Sequence, residues 1–498
     1  MNATTVKIRP FDLCYLAVAA ISFVLIFRGS VQSSPFEYDE SDYMSAARKG
    51  LVENYLETSS MNLAEFASTG MKAVHGQLNN TGLSEYIRGR RDLTFLRHYH
   101  GPLYYYWLAF TSRLTHGNEA RERFSGWMFH LLAFATIYLG LIWLLGDAYR
   151  PAALVASLVY LFTANNIFTV DELSSHVPFI WFSIATLVVI GRLVVARSIR
   201  WYYAALACCA ISFCVLEYGV LLGASLLVAV WLVRKDLFAS WHLRDAIRCV
   251  AWSAFLIIGI LLLLWPAGLI KGTVVEGFIY IVYLSRYRKN SYGNTTPLES
   301  WQSHFALSPL DFTVFFLCFS IAVVGIWRSR HRNVLLPILT YAILLFLSTF
   351  KNTATAPRYI SSLFAPVYFV AAAILFDRVR RVPNAIAIPG AVALVLALSI
   401  SAWRITVRPY LTPRPPSDMR LLISFVEAHQ NNSYFVPLGF VPELEYYFPH
   451  TSVRPLRPGY EIASGAHAYF CEYGLNAPNV VFSTGVKTPM GELACVER

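Results

Sequence analysis

Eleven stretches of the chain stay apolar long enough to cross a bilayer, near 11–31, 126–145, 151–168, 177–195, 201–216, 218–233, 249–268, 310–327, 334–350, 359–376 and 384–403. Each predicts a helix. Polar residues gather in the intervals between them, and two intervals are much longer than connectors need to be. The fifth and sixth stretches are short and only Glu217-Tyr218-Gly219 separates them, so they read either as two spans with a turn or as one long tilted helix. The fold class expected is a mainly α polytopic membrane protein of about 11 transmembrane helices.

Basic residues set the orientation. The short loops after spans two, four, six, eight and ten carry Arg150; Arg197 and Arg200; Arg234, Lys235, Arg244 and Arg248; Arg328, Arg330 and Arg332; Arg378, Arg380 and Arg381. By the positive-inside rule these loops and the N-terminus are cytoplasmic. The interval 169–176, with no Lys or Arg, then faces outward, as do 32–125, 269–308, 351–358 and the tail from about 404. Lys7 and Arg9 precede the first run as in a signal peptide, but the run ends without a small-residue cleavage site and is read as a retained span. The division expected is a membrane domain over 1–403 and an extracytoplasmic domain over 404–498. Within the loop 32–125, helical patterns at 42–57, 61–75 and 103–115 predict amphipathic helices on the membrane surface. The tail alternates short apolar strings with Gly and Pro and predicts a small mixed α/β or strand-rich domain, where Cys471 and Cys495 stand either as a disulfide or as two free thiols.

Composition agrees: 56% of the 498 residues are hydrophobic and only 14% charged, too apolar for an ordinary soluble protein of this size. The net charge of +11 is spent on punctuating apolar runs rather than on clusters that would bind nucleic acid, and no nucleic-acid partner is expected. Among the eight cysteines, Cys208, Cys209, Cys214, Cys249 and Cys318 lie in or beside apolar runs, and no pair shows metal-site spacing.

Four stretches carry candidate chemistry. In Phe36-Glu37-Tyr38-Asp39-Glu40-Ser41-Asp42-Tyr43, four carboxylates fall within six positions just after the first span. Acids also suit the first turn of a surface helix, so this stretch alone reads equally well as a helix start. A second pair, Asp171-Glu172, lies at the same membrane face, where an ionisable residue costs less than the roughly 3 kcal/mol it costs at the bilayer centre. The third stretch is Arg97-His98-Tyr99-His100-Gly101-Pro102 running into Leu103-Tyr104-Tyr105-Tyr106-Trp107. An interfacial anchor accounts for its aromatic residues but not for Arg97, His98 and His100. The fourth is Lys351 to Tyr359, in which Arg358 suits bidentate phosphate binding, or an anchor for the next span.

Together these stretches resemble the GT-C class of membrane glycosyltransferases, in the branch holding protein O-mannosyltransferases and the lipid A aminoarabinose transferase. The likeness runs to about residue 376 and rests on Asp39, Glu40 and Tyr43; on Pro102 to Tyr105; on Asp171; and on Arg358 and Tyr359 with Pro366 downstream. It departs where the class carries Lys-Pro-Pro-Leu and this chain has His100-Gly101-Pro102-Leu103, so a phosphate-binding lysine does not transfer to His100. Arg97, His98, Arg286, Arg288 or Lys289 then stand as sources of that charge. The resemblance implies a polyprenyl-phosphate sugar as donor, a sugar acceptor hydroxyl, and inversion at the anomeric carbon. Transfer needs a base and a cation for the departing phosphate. Asp39 is the candidate base. Glu40, Asp171 and Glu172 are expected to position hydroxyls, Tyr43, His100 and Tyr359 to line the substrate, and Asp39 with Glu40 to hold a divalent ion if one is used. No other cofactor is expected. The acceptor expected is a glycolipid or glycan, such as lipid A or lipopolysaccharide core, at a bacterial inner membrane with the C-terminus periplasmic; the alternatives are a protein O-mannosyltransferase, a lipid-carrier glycan ligase and a lipid or solute transporter.

Overall fold

The structure is a computed structural model. It describes residues 8–36, 38–56, 68, 71–72, 100–238, 242–266, 296–350, 356–379, 383–411, 416–456, 468–475, 479–488 and 490–497. Arg97, His98, Arg286, Arg288 and Lys289 lie outside these, as does nearly all of the expected helix at 61–75.

Each of the eleven apolar stretches holds a described helix. By length and apolarity eight described segments can cross a membrane, or nine if one bent pair counts as a single span. In chain order the helices are α1 (Pro10–Phe27), α2 (Tyr38–Arg48), α3 (Gly50–Leu56), α4 (Leu103–Thr115), α5 (Glu119–Leu145), α6 (Arg150–Leu161), α7 (Ala164–Val170), α8 (His176–Ala196), α9 (Ile199–Phe213), α10 (Val220–Phe238) and α11 (Leu243–Leu264). There follow α12 (Pro297–Leu307), α13 (Pro309–Gly325), α14 (Arg332–Phe350), α15 (Arg358–Ser361), α16 (Phe364–Val379) and α17 (Asn384–Thr406), which runs past the expected boundary at 404. The fifth and sixth stretches are two helices, with a single 3-10 turn at Glu217–Gly219 between α9 and α10. The third is broken into α6 and α7, bent by 58° at Phe162-Thr163.

The core is the bundle itself. Trp127, Tyr138, Leu141, Tyr160, Ile184, Leu187, Leu335 and Phe369 are buried at the centre of α5, α6, α8, α14 and α16. Apolar side chains of α1, α11 and α17 such as Val18, Phe255 and Leu396 face outward, as lipid-facing positions do. Of the helices expected in the first loop, α4 matches 103–115, and 42–57 is divided into α2 and α3.

The tail folds into a five-stranded sheet of order β2-β1-β3-β5-β4, from β1 (Ser433–Val436), β2 (Val453–Pro455), β3 (Ala468–Tyr473), β4 (Val480–Ser483) and β5 (Leu493–Glu497). β1 runs parallel to both neighbours, and β5 antiparallel to both of its own. Met419, Leu422, Ile423 and Val426 of α18 (Asp418–Ala428) pack on one face. Cys471 and Cys495, opposite each other on β3 and β5, form a disulfide. α19 (Val441–Tyr447) carries this unit onto α2: the rings of Tyr446 and Phe36 meet edge to face at 5.3 Å, and the Tyr447 hydroxyl accepts the Phe36 N–H at 3.1 Å.

Candidate functional site

α2 begins at Tyr38, so Asp39 and Tyr43 stand one turn apart on the same face. On the opposite wall α15 begins at Arg358, held in place by Pro357 at its N-cap. The Arg358 guanidinium joins the two sides: Nη2 donates to Asp39 Oδ2 at 2.5 Å and Nη1 to Glu172 Oε2 at 3.0 Å. Three stretches separated by up to 319 residues thus meet at one cation. About 30% of the Asp39 side chain, 35% of Glu172 and 16% of Arg358 stays exposed, so a substrate reaches this cluster without unfolding anything. The Arg358 guanidinium also lies over the Tyr359 ring, 5.3 Å from its centroid.

The next layer is buried. The Tyr43 hydroxyl shares a hydrogen bond with Ser175 Oγ at 3.0 Å, and burial holds its ionisation well above the usual phenol range. Its ring packs against Tyr104, Tyr105 and His100. His100 Nδ1 lies 3.0 Å from Glu217 Oε2. His100 is brought there because Leu103 N–H donates to the Cys214 carbonyl at 3.2 Å, and a Cβ at position 101 would stand 2.1 Å from that oxygen, which only glycine avoids. Asp171 closes α7 and accepts the Trp127 indole N–H at 2.8 Å. Burial, with the Glu172 charge adding to it, pushes the Asp171 carboxyl up to about 7. It therefore titrates near neutrality, unlike an exposed aspartate.

Glu40 has a different set of contacts. Its two oxygens take Arg123 Nε at 3.0 Å and Nη2 at 2.5 Å, and Oε1 also accepts the Leu173 N–H at 2.9 Å. Arg123 in turn donates to the carbonyls of Gln32, Ser34 and Pro35. The Glu40–Arg123 pair is buried and ties the start of α2 to α5 and to the loop after Asp171. The charge between Asp39 and Glu172 is the Arg358 guanidinium, and among the described residues no group of three or more His, Cys, Asp or Glu side chains is set to hold a metal ion.

Several site-forming residues were not singled out from sequence. Asp311, wholly buried in the first turn of α13, accepts the Asn165 N–H at 3.0 Å at the start of α7. Asn165 Nδ2 donates to the Pro357 carbonyl at 3.2 Å, next to Arg358. α7 is thus a strut with Arg358 at one end and Asp171-Glu172 at the other. The sequence signal was an aspartate within an apolar run, which is rare and functional as a rule. Glu217 and Arg123 likewise stand at the edges of runs.

No protein-family model and no curated protein matches the chain. Solved structures do. ArnT from Cupriavidus metallidurans bound to undecaprenyl phosphate superimposes with a TM-score of 0.57 over 98% of this chain and 98% of that one at 12% identity. The same protein in the apo state gives 0.57 over 98% and 97% at 14% identity. The oligosaccharyltransferase of Archaeoglobus fulgidus, in complex with Zn and sulfate, follows with 0.49 over 88% of this chain and 62% of that one at 14% identity. The chain has the fold of ArnT.

Proposed function

We propose that this protein is a glycosyltransferase that moves a sugar from a polyprenyl-phosphate donor to a hydroxyl of a glycolipid such as lipid A or lipopolysaccharide core. The reading places it in the inner membrane, with the N-terminus cytoplasmic and Asp39, Asp171, Arg358 and the C-terminus on the periplasmic side. The observation that carries it is the partly exposed Asp39–Arg358–Glu172 cluster at one end of an apolar bundle. Such a cluster offers a base and a phosphate-binding cation within one ion-pair distance. The undecaprenyl phosphate bound by ArnT supports a lipid-phosphate donor for a chain of the same fold.

In this reading the donor phosphate competes for Arg358 and displaces Asp39 from it. The cation then holds the leaving group, and the freed carboxylate faces the acceptor. The acceptor oxygen attacks the anomeric carbon as the bond to the phosphate oxygen breaks; the phosphate leaves with the electron pair and Asp39 takes the hydroxyl proton. A single displacement inverts the anomeric centre. Asp171, whose carboxyl is raised to about 7, donates a hydrogen bond toward a sugar hydroxyl or Glu172 in its protonated form. The test is transfer by the purified protein from undecaprenyl-phosphate-linked sugars to lipid A, with lipids of cells that have or lack the protein compared by mass. A new glycolipid that depends on Asp39 supports the reading. Glycosylated protein instead points to the O-mannosyltransferase alternative, and transfer of whole lipid-linked glycans to the ligase.

A further inference from the structure

Arg192 lies in the last third of α8, on the helix that begins at His176 beside the site, and 16 residues on, or about 24 Å along the axis. Only 9% of its surface is exposed. Its guanidinium carbon sits 5.2 Å from the ring centroid of Trp143 on α5 and 5.9 Å from that of Trp201 on α9, and the two indoles meet edge to face at 5.4 Å. The wall behind it is tight, since a Cβ at Gly191 would stand 2.6 Å from Leu144 Cδ1. No described side chain or backbone carbonyl accepts a hydrogen bond from Arg192, and its Nε is buried without one. Its neighbours at this end of the bundle differ: Arg150 pairs with Asp12 and Asp147, Arg330 with Asp377 and Arg197 with Asp236.

A guanidinium is charged at any pH of interest, so one this enclosed needs a counter-charge or a strong acceptor. Two indole faces supply only part of that. The paired tryptophans and the nearby end of the helix put it at headgroup depth, where the available anions are lipid phosphates, which arginine grips with two parallel N–H donors. We propose that Arg192, walled by Trp143 and Trp201, binds the phosphate of a membrane lipid at the end of the bundle remote from Asp39.

The test uses the full-length protein carrying Arg358→Ala, so that the candidate active site does not report. Native mass spectrometry follows titration with phosphatidylglycerol, undecaprenyl phosphate, inorganic phosphate and, as a phosphate-free control, diacylglycerol. One of the two lipid phosphates is expected to bind and diacylglycerol not to; the tighter of the two identifies the source. Arg192→Gln is expected to weaken that binding tenfold or more, and Arg192→Lys less. Trp201→Leu keeps the charge and removes one wall, and is expected to weaken it several-fold, which keeps the test decisive if the Gln variant fails to accumulate. Equal binding of phosphatidylglycerol and undecaprenyl phosphate by the Gln or Leu variants and the parent would overturn the assignment, as would binding of inorganic phosphate as tight as that of either lipid.

Discussion

A guanidinium that holds Asp39 on one nitrogen and Glu172 on another cannot be replaced by an ammonium, which has the charge but not the planar fork. Arg358→Lys is expected to lower sugar transfer about tenfold and Arg358→Ala about a hundredfold, with membrane insertion unchanged. Asp39→Asn keeps the size and cannot take the acceptor proton, so transfer is expected to be lost while the protein folds; parental turnover in a purified assay removes Asp39 from the role of base. Asp171 makes a pH-dependent prediction. Its carboxyl is raised in the folded state from 3.8 to about 7, so the folded state binds a proton there that the unfolded chain has already lost between those values. Its stabilising contribution is therefore full below about 4 and fades as pH rises through 7. Asp171→Asn retains an acceptor for the Trp127 indole and has no proton to lose. The midpoint of thermal unfolding of Asp171→Asn relative to the parent is expected to rise between pH 4 and 8; a constant difference shows that Asp171 does not titrate in that range.

Among elements, α7 matters most to the site. Asp311 accepts at its first turn, its Asn165 side chain reaches Pro357 beside Arg358, and Asp171-Glu172 follow its last turn. Asp311→Asn keeps an acceptor for the Asn165 N–H. Asp311→Ala leaves a buried donor unmatched at a cost of about 1–3 kcal/mol. If α7 aligns Arg358 with Glu172, the Ala variant lowers kcat several-fold, the Asn variant restores most of it, and the loss is smaller in an Arg358→Lys background than in the parent. Equal losses in both backgrounds make Asp311 a matter of stability alone. This strut also shows what the sequence discloses and what it hides. The spans were legible because apolar runs bounded by Arg and Lys need no distant partner to be read. The bend at Phe162-Thr163 was not, since neither Gly nor Pro marks it and the start of α7 just beyond it is held by a carboxylate 146 residues away. Asp39, Asp171 and Arg358 were visible as charges at run ends, yet nothing local joins Asp39 to Arg358 or gives Glu40 to Arg123. Those pairings are decided by packing.

For the whole molecule, the orientation proposed from the distribution of Arg and Lys among short loops has 404–498 and the acidic pairs on one side of the membrane and 234–248 on the other. Membrane-impermeant thiol reagents are expected to label engineered cysteines in intact cells in the first segment and not in the second; the reverse pattern moves the site to the cytoplasm. The tail has a mechanical part on that side. Tyr446 stacks under the Arg48 guanidinium at 3.7 Å and against Phe36, so it grips α2 at its end and just before its start. Tyr447 accepts the Phe36 N–H and donates to Glu119 Oε1 at 3.0 Å, which fixes the same approach to α5. α2 is a short, largely polar helix whose own apolar burial is confined to Tyr43, Met44, Ala46 and Ala47, so these contacts weigh more in its placement than they would in a span's. Losing the Tyr447 hydroxyl costs about 1 kcal/mol per hydrogen bond, small beside the stability of the bundle and large beside that of an eleven-residue helix. The variant with Tyr446→Leu and Tyr447→Phe is therefore expected to melt at nearly the parental temperature, exchange the amides of 38–48 faster, and lose about tenfold in kcat with a smaller change in donor KM, because the phosphate still finds Arg358 while Asp39 is no longer held opposite it. Unchanged amide exchange in 38–48 together with unchanged kcat would show that α2 stays in place without the tail.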